Sequence, residues 1–123
     1  MASSIRRLEK DLRTLGFLFE GLVERDLRTY AESMGAELYH YQDYANNEID
    51  AVVELADGRW AAIEVKLGVN QEESAAEGLK KISSQMSADG CAPSALIVIV
   101  GLASAAYRRK DGVYVVPITA LKP

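Results

Sequence analysis

Two strand-like segments, Ile49 to Leu55 (I-D-A-V-V-E-L) and Trp60 to Leu67 (W-A-A-I-E-V-K-L), flank Ala56-Asp57-Gly58. Branched and aromatic residues dominate both segments, as they do in strands, and Asp-Gly is a turn signal. A hairpin near the middle of a 123-residue chain commits the fold to a sheet. Two loops compete for the turn. A two-residue Asp57-Gly58 turn pairs Asp50 with Val65, whereas a three-residue loop with Gly58 in the left-handed position pairs Asp50 with Glu64. Directly opposed residues share a face. The longer loop therefore sets Glu48 opposite Lys66 and Asp50 opposite Glu64, with all four on one face. Ile49, Ala51, Val53, Ala61, Ile63 and Val65 then form a wholly apolar second face. That clean separation favours the longer loop, because a one-residue slip exchanges the faces.

The favoured register opposes two like charges, which repel across a sheet. Unless something sits between them, one carboxyl should keep its proton. A Mg²⁺ or Mn²⁺ ion would relieve the repulsion, since hard cations take carboxylate oxygen. Lys66 would then stand within reach of a metal-bound water or a scissile phosphate. The competing reading is a cross-strand ladder of ion pairs from Glu48 to Lys66, with Asp50 at a strand start. One E-x-K in a short sequence is common by chance.

Upstream, Phe17 to Tyr30 reads F-L-F-E-G-L-V-E-R-D-L-R-T-Y. Leu15, Leu18 and Leu22, with Phe19 and Val23, recur at helical spacing. Phe17 and Leu27 fall on another side, near the face of Glu20 and Glu24. The first turns are apolar nearly all round, so the helix is expected to be covered on more than one side. Glu20 lies in that covered part, while Glu24, Arg25, Asp26 and Arg28 read as solvated. A covered glutamate needs a partner. The metal site could supply it, or a Lys, an Arg or water could.

The remaining segments extend the sheet. Asn70 with Glu73 forms a capping-box pattern for a helix running to about Ser87, with Ala75, Leu79, Ile82 and Met86 as its buried stripe. Ala95 to Gly101 (A-L-I-V-I-V-G) is a continuous apolar run, as expected of a strand buried on both faces. Val113 to Ile118 is a further strand, and the helix before Ala95 would make a right-handed crossover. The expected order is α-β-β-β-α-β-β around a mixed central sheet, an α/β fold. The length suits one domain with a real core, and 49% hydrophobic with 26% charged residues is ordinary for a globular chain. No apolar run is long enough for a bilayer and no secretory signal opens the chain, so a cytoplasmic location is the expectation. A single Cys91 excludes an intrachain disulfide and reads as loop filler. His40 is the only histidine and reads as a surface residue between tyrosines, so a zinc site of the usual ligand type is not expected.

Taken in order, Gly16-Phe17-Leu18-Phe19-Glu20 with Val23 and Leu27, Tyr39-His40-Tyr41, Glu48-Ile49-Asp50 and Ile63-Glu64-Val65-Lys66 resemble the C-terminal domain of bacterial and archaeal AAA-type ATPases (domain of unknown function 4143). That domain is similar in turn to the PD-(D/E)XK nuclease-like superfamily. The resemblance spans roughly residues 14 to 120 and implies a restriction-endonuclease-like core. It implies that Asp50 and Glu64 bind Mg²⁺ or Mn²⁺, that Glu20 is the acidic residue of the first helix, and that Lys66 is the lysine of the site. Glu48 matches the glutamate of an E-[VI]-D triplet and is secondary. Ile49 replaces the superfamily's proline, and the helix after Lys66 carries Gln85 without the tyrosine of a Q-x-x-x-Y motif, which argues against exonuclease-like use. The resemblance also implies an upstream ATPase domain as partner, joined through residues 1–15, where Ile5, Leu8, Leu12 and Leu15 have helical spacing, with residues 16–123 as the nuclease-like domain. No G-x-x-x-x-G-K-[ST] occurs, so the chain has no P-loop ATP site.

Two functions follow as expectations. The first is a Mg²⁺-dependent phosphodiesterase acting on DNA or RNA. The second is a catalytically inactive accessory or protein-interaction module of the ATPase. A weaker third is oligomerisation through the apolar face of Ile5 to Leu15. Phosphate binding needs positive potential, yet the net charge is -4. The clearest basic cluster, Tyr107-Arg108-Arg109-Lys110 before Asp111-Gly112, reads as a solvated turn in preference to a phosphate-tracking loop.

Overall fold

Six segments rich in branched residues assemble into one sheet. The computed structural model describes residue 6 and residues 21–43, 47–68, 71–88, 90–101 and 105–120. The elements are α1 (residues 21–33), β1 (Glu37–Gln42), β2 (Glu48–Glu54), β3 (Trp60–Lys66), α2 (Glu72–Ala88), β4 (Ala95–Val100), β5 (Tyr107–Arg108) and β6 (Tyr114–Pro117), followed by a 3₁₀ turn at Ile118–Ala120. The strand order is β1-β2-β3-β4-β6-β5. The first three strands form an antiparallel meander, β4 runs parallel to β3 and β6, and β5 returns antiparallel to β6. The fold is therefore mixed α/β, as expected, with one short strand, β5, more than the expected order.

Each face of the sheet carries a helix. On one side Ala75, Ala76 and Leu79 of α2 pack on Val52, Ala62, Val98, Val100 and Val115. The expected stripe of α2 holds, since Ile82 and Met86 also lie against this cluster. On the other side Val23 and Leu27 of α1 pack on Ala51, Ile63, Val65 and Ile99. β4 serves both cores, with Val98, Ile99 and Val100 at 1% exposure or less, as a parallel strand covered on both faces must. The buried stripe of α1 is Val23, Leu27 and Ala31, spaced by four. Leu22, assigned by periodicity to the buried side, is 45% exposed. Leu27, assigned to a separate side, shares the Val23 core. With apolar residues nearly all round, periodicity singled out no one side; packing on the sheet selects the i, i+4, i+8 row that starts at Val23. Glu24 and Arg28 are solvated and form an i,i+4 pair at 3.1 Å.

The three-residue loop is the one that forms. Leu55 N donates to Arg59 O at 2.8 Å and Gly58 N to Leu55 O at 3.0 Å, with Gly58 at φ 90°, a region that favours glycine. Asp57 Oδ1 accepts from Arg59 N at 3.0 Å. The β5–β6 hairpin repeats this turn at Lys110-Asp111-Gly112, with Arg109 N to Val113 O at 2.8 Å and Val113 N to Asp111 Oδ1 at 3.1 Å. Residues 1–15, expected as a helical linker, and the Asn70 capping position lie outside the described residues, Arg6 excepted. No helix among the described residues is long and apolar enough to cross a membrane.

Candidate functional site

An irregularity in β2 builds the site. Tyr39 faces Val52 and Tyr41 faces Ile49, so His40 alone stands against two residues, Asp50 and Ala51. This is a β-bulge, and one extra residue reverses the alternation of side chains beyond it. The expectation that Ile49 shares a face with Ala51 and Val53 is therefore corrected. Ile49 is fully buried in the α2-side core with Val52, while Ala51 lies in the α1-side core. The sequence carried a signal for this: Ile49 and Val52 are both large and branched at a spacing of three, which no regular strand can bury on one face.

The bulge changes what Asp50 does. The β2–β3 partners run from Glu54↔Trp60 to Ala51↔Ile63, in the expected register. At the next position the Asp50 side chain takes over from the main chain: Val65 N donates to Asp50 Oδ2 at 2.8 Å. The His40 ring Nδ1 lies 3.0 Å from the Asp50 carbonyl oxygen, which makes its nitrogen the donor. Asp50 is thus held at both its carboxylate and its carbonyl. His40 is exposed, as expected, but its ring serves the bulge, and that role was not read from its tyrosine neighbours.

Glu64 on β3 reaches the same point. Its carboxyl is pushed up to about 8, first by burial, then by the Asp50 charge and by a hydrogen bond shared with the Asp50 carboxyl, with Lys66 opposing these effects. The Asp50 and Glu64 carboxyls are thus close enough to interact, and the upward direction of Glu64 is the one that burial beside a like charge produces. Lys66 is half-buried at the end of β3. Glu48 stands apart: it is exposed and faces Gln42 on β1, and the β2–β3 pairing stops short of placing it against Lys66. The expectation of four charges on one face does not hold: Asp50 lies on the α1 side beside Ala51, Glu64 and Lys66 alternate with Ile63 and Val65 of the α1-side core, and it is at the end of the β2–β3 pairing that Asp50 and Glu64 come within reach of each other. Glu20 lies outside the described residues.

The donor chemistry suits a hard cation. Two carboxyls converge with one oxygen of Asp50 committed to Val65 N, and burial together with the Asp50 charge pushes the Glu64 carboxyl up. No cluster of three or more His, Cys, Asp or Glu side chains fit for a metal occurs among the described residues. A closed all-protein cage is therefore not formed by these residues. Mg²⁺ does not need one, since it keeps several waters and binds through one or two carboxylates. Beside Asp50, a cleft of about 370 Å³ opens between α1 and the β1–β2 pair, with Val23, Leu27, Arg28, His40 and Ala51 among its walls.

The basic cluster is a solvated turn, as expected, at Tyr107, Arg108 and Lys110, which are exposed, but Arg109 departs from it. The Arg109 side chain is only 16% exposed and bonds Glu72 at 2.9 Å, Glu73 at 2.9 Å and Asp111 at 3.2 Å. Tyr107 donates its hydroxyl to Glu72, and Lys80 reaches Asp111 at 3.0 Å. Arg109 holds Asp111 well below the usual carboxylate range. This network fastens the β5–β6 hairpin to the first turns of α2. Arg108 instead lies over the Tyr114 ring, 5.2 Å from its centroid.

A family model described as Domain of unknown function (DUF4143) matches residues 15–121. No curated protein and no solved structure matches the chain.

Proposed function

The chain belongs to the family described as Domain of unknown function (DUF4143), and we propose that it is a metal-dependent phosphodiesterase domain of restriction-endonuclease-like fold, acting on nucleic acid and working beside an AAA-type ATPase. The observation that carries this reading is the meeting of the Asp50 and Glu64 carboxyls at the end of the β2–β3 pairing, two residues from Lys66. Carboxyls so placed are unfavourable to each other without a cation. Asp50 and Glu64 would hold Mg²⁺ or Mn²⁺, which when bound supplies Lewis-acid polarisation of a phosphate and a more acidic water. Asp50 is kept in place by the Val65 amide and the His40 ring. Glu64, whose carboxyl is pushed up by burial and by the Asp50 charge, would serve such a cation as a carboxylate. Lys66 donates to the scissile phosphate and meets the charge that grows on it during attack.

A second reading, a catalytically silent accessory module, draws on the bond between Val65 N and Asp50 Oδ2: strand pairing alone gives a carboxylate a purpose there. Calorimetry separates the two. Asp50→Asn keeps an oxygen for the Val65 amide but loses the charge. Wild type is expected to bind Mn²⁺ and Asp50→Asn to lose that binding while melting near the wild-type temperature. Wild type, and not Lys66→Ala, is then expected to cleave labelled oligonucleotides. No binding heat at millimolar Mn²⁺ overturns the phosphodiesterase reading and leaves the second.

A further inference from the structure

The strand segment that carries Asp50 is laddered on one edge only. Glu48, Ile49 and Asp50 lie beyond Ala51↔Ile63, where the β2–β3 pairs end. Glu48 and Ile49 pair with Gln42 and Tyr41 of β1, and toward β3 Asp50 has the bond from Val65 N. The place of the Asp50 carboxyl therefore depends on what holds the residues just before it.

Helix α2 holds them twice. Ile49 is fully buried in one core with Ala76 and Leu79. Successive side chains of a strand point to opposite faces, so Ile49 on the α2 side turns Asp50 to the other. Asn47, two residues before Ile49, also reaches α2. Its Nδ2 donates to Oε1 of Gln85, in the last turn of the helix, at 2.8 Å. The same Nδ2 donates to Asp43 Oδ2 at 3.1 Å. An amide NH₂ has two hydrogens, and both are engaged. Asn47 N donates to Asp43 Oδ1 at 3.0 Å, Asp43 N donates to Asn47 O at 3.1 Å, and Tyr41 donates its hydroxyl to Asp43 Oδ2 at 3.2 Å. This clasp joins the end of β1, the entry of β2 and the end of α2. Gln85 is the glutamine that lacks the tyrosine of a Q-x-x-x-Y motif, and its acceptor oxygen is engaged by Asn47.

We infer that Gln85, acting through Asn47, is a positioning residue for Asp50: α2 sets the entry of β2 and thereby the place of the Asp50 carboxyl beside Glu64. A site of this kind needs its groups held within about 0.5 Å, and losing an outer partner is felt as lost metal affinity. The consequence for a cation rests on the phosphodiesterase reading; the placement of Asp50 does not, and the test separates the two. Amide hydrogen exchange at Val65, followed by NMR without metal, reports the bond from Val65 N to Asp50 Oδ2. At the exposed position 85, Gln85→Met removes the acceptor at similar length, and Gln85→Glu keeps an acceptor oxygen. Asn47→Ala removes the donor. Gln85→Met and Asn47→Ala are each expected to speed Val65 exchange about fivefold, the factor that one ordinary net hydrogen bond corresponds to. The amide of Val98, fully buried in β4, is expected to keep its wild-type rate, and Gln85→Glu to exchange at Val65 as wild type does. A merely structural tie has a different signature, Val65 and Val98 quickening together because the whole protein opens more often. That outcome, an unchanged Val65 rate in both loss variants, or Gln85→Glu behaving as Gln85→Met overturns the inference. Calorimetry then reads the consequence, Mn²⁺ binding about fivefold weaker in the two loss variants and unchanged in Gln85→Glu; wild-type affinity in both loss variants overturns the inference as well. A Val65 response as expected in a wild-type protein that binds no Mn²⁺ overturns the phosphodiesterase reading and leaves the positioning of Asp50 standing.

Discussion

Glu64 is the residue on which the site turns. Its carboxyl is raised to about 8 from an ordinary value of 4.5, with burial as the largest cause and Asp50 the next. The folded value lies above the unfolded one, so the native protein holds a proton that the unfolded chain has released. The stability this contributes is fully present below about 4.5 and is lost as pH rises through about 8. In chelator-treated protein the melting temperature should therefore fall across that window, and Glu64→Gln, which cannot ionise, should melt with a flatter pH dependence and above wild type at the alkaline end. Mn²⁺ should raise the wild-type melting temperature more at the alkaline end than at the acid end, because protons then no longer compete for the ligand. A melting curve of Glu64→Gln with the same pH slope as wild type would show that the carboxyl pair is not coupled to folding. At this scale the sequence was informative about Asp50, Glu64 and Lys66 through their strand positions. It was uninformative about His40, whose partner is a main-chain oxygen ten residues away.

At the scale of elements, the two hairpins use the same solution. Ala56-Asp57-Gly58 and Lys110-Asp111-Gly112 each place an aspartate where its carboxylate accepts the amide two residues on, and a glycine at positive φ. A Cβ added at Gly58 meets nothing within 4 Å, so Gly58→Ala isolates the backbone term. It should cost about 1–2 kcal/mol, the penalty for a side chain in the left-handed region, as measured by urea unfolding; an unchanged midpoint would mean that the loop has rearranged. The same turn chemistry made the register of β2 and β3 legible from Asp57-Gly58. It did not reveal the bulge at Asp50–Ala51, because a bulge is a property of two strands and β1 contributes half of it. Nor did it reveal β5, since two residues of strand leave no periodicity to read.

Across the whole molecule, helices on opposite faces bury the two sides of one sheet, and polar ties then fix the periphery. Leu79, at 1% exposure, sits at the centre of the α2 side, and Leu79→Ala should cost about 2–5 kcal/mol, the range for emptying such a site. Arg109→Ala should lower the melting temperature by several degrees, since it frees Glu72, Glu73 and Asp111 together, while Arg59→Ala, whose single exposed partner is Asp57, should leave it nearly unchanged. Equal effects of the two would show that the α2 tie adds nothing beyond a surface ion pair. The sequence by itself determined five of the six strands, the hairpin loop, the parallel central strand and the meeting of Asp50 with Glu64, because these depend on local turn chemistry and on a period of two. Tertiary structure alone decided which side of α1 is buried, the exit of Ile49 from its expected face, the separation of Glu48 from Lys66, and the capture of Arg109 by α2. Those depend on which surfaces meet, and a contact between residues nearly forty positions apart leaves no trace in the spacing of either partner's neighbours.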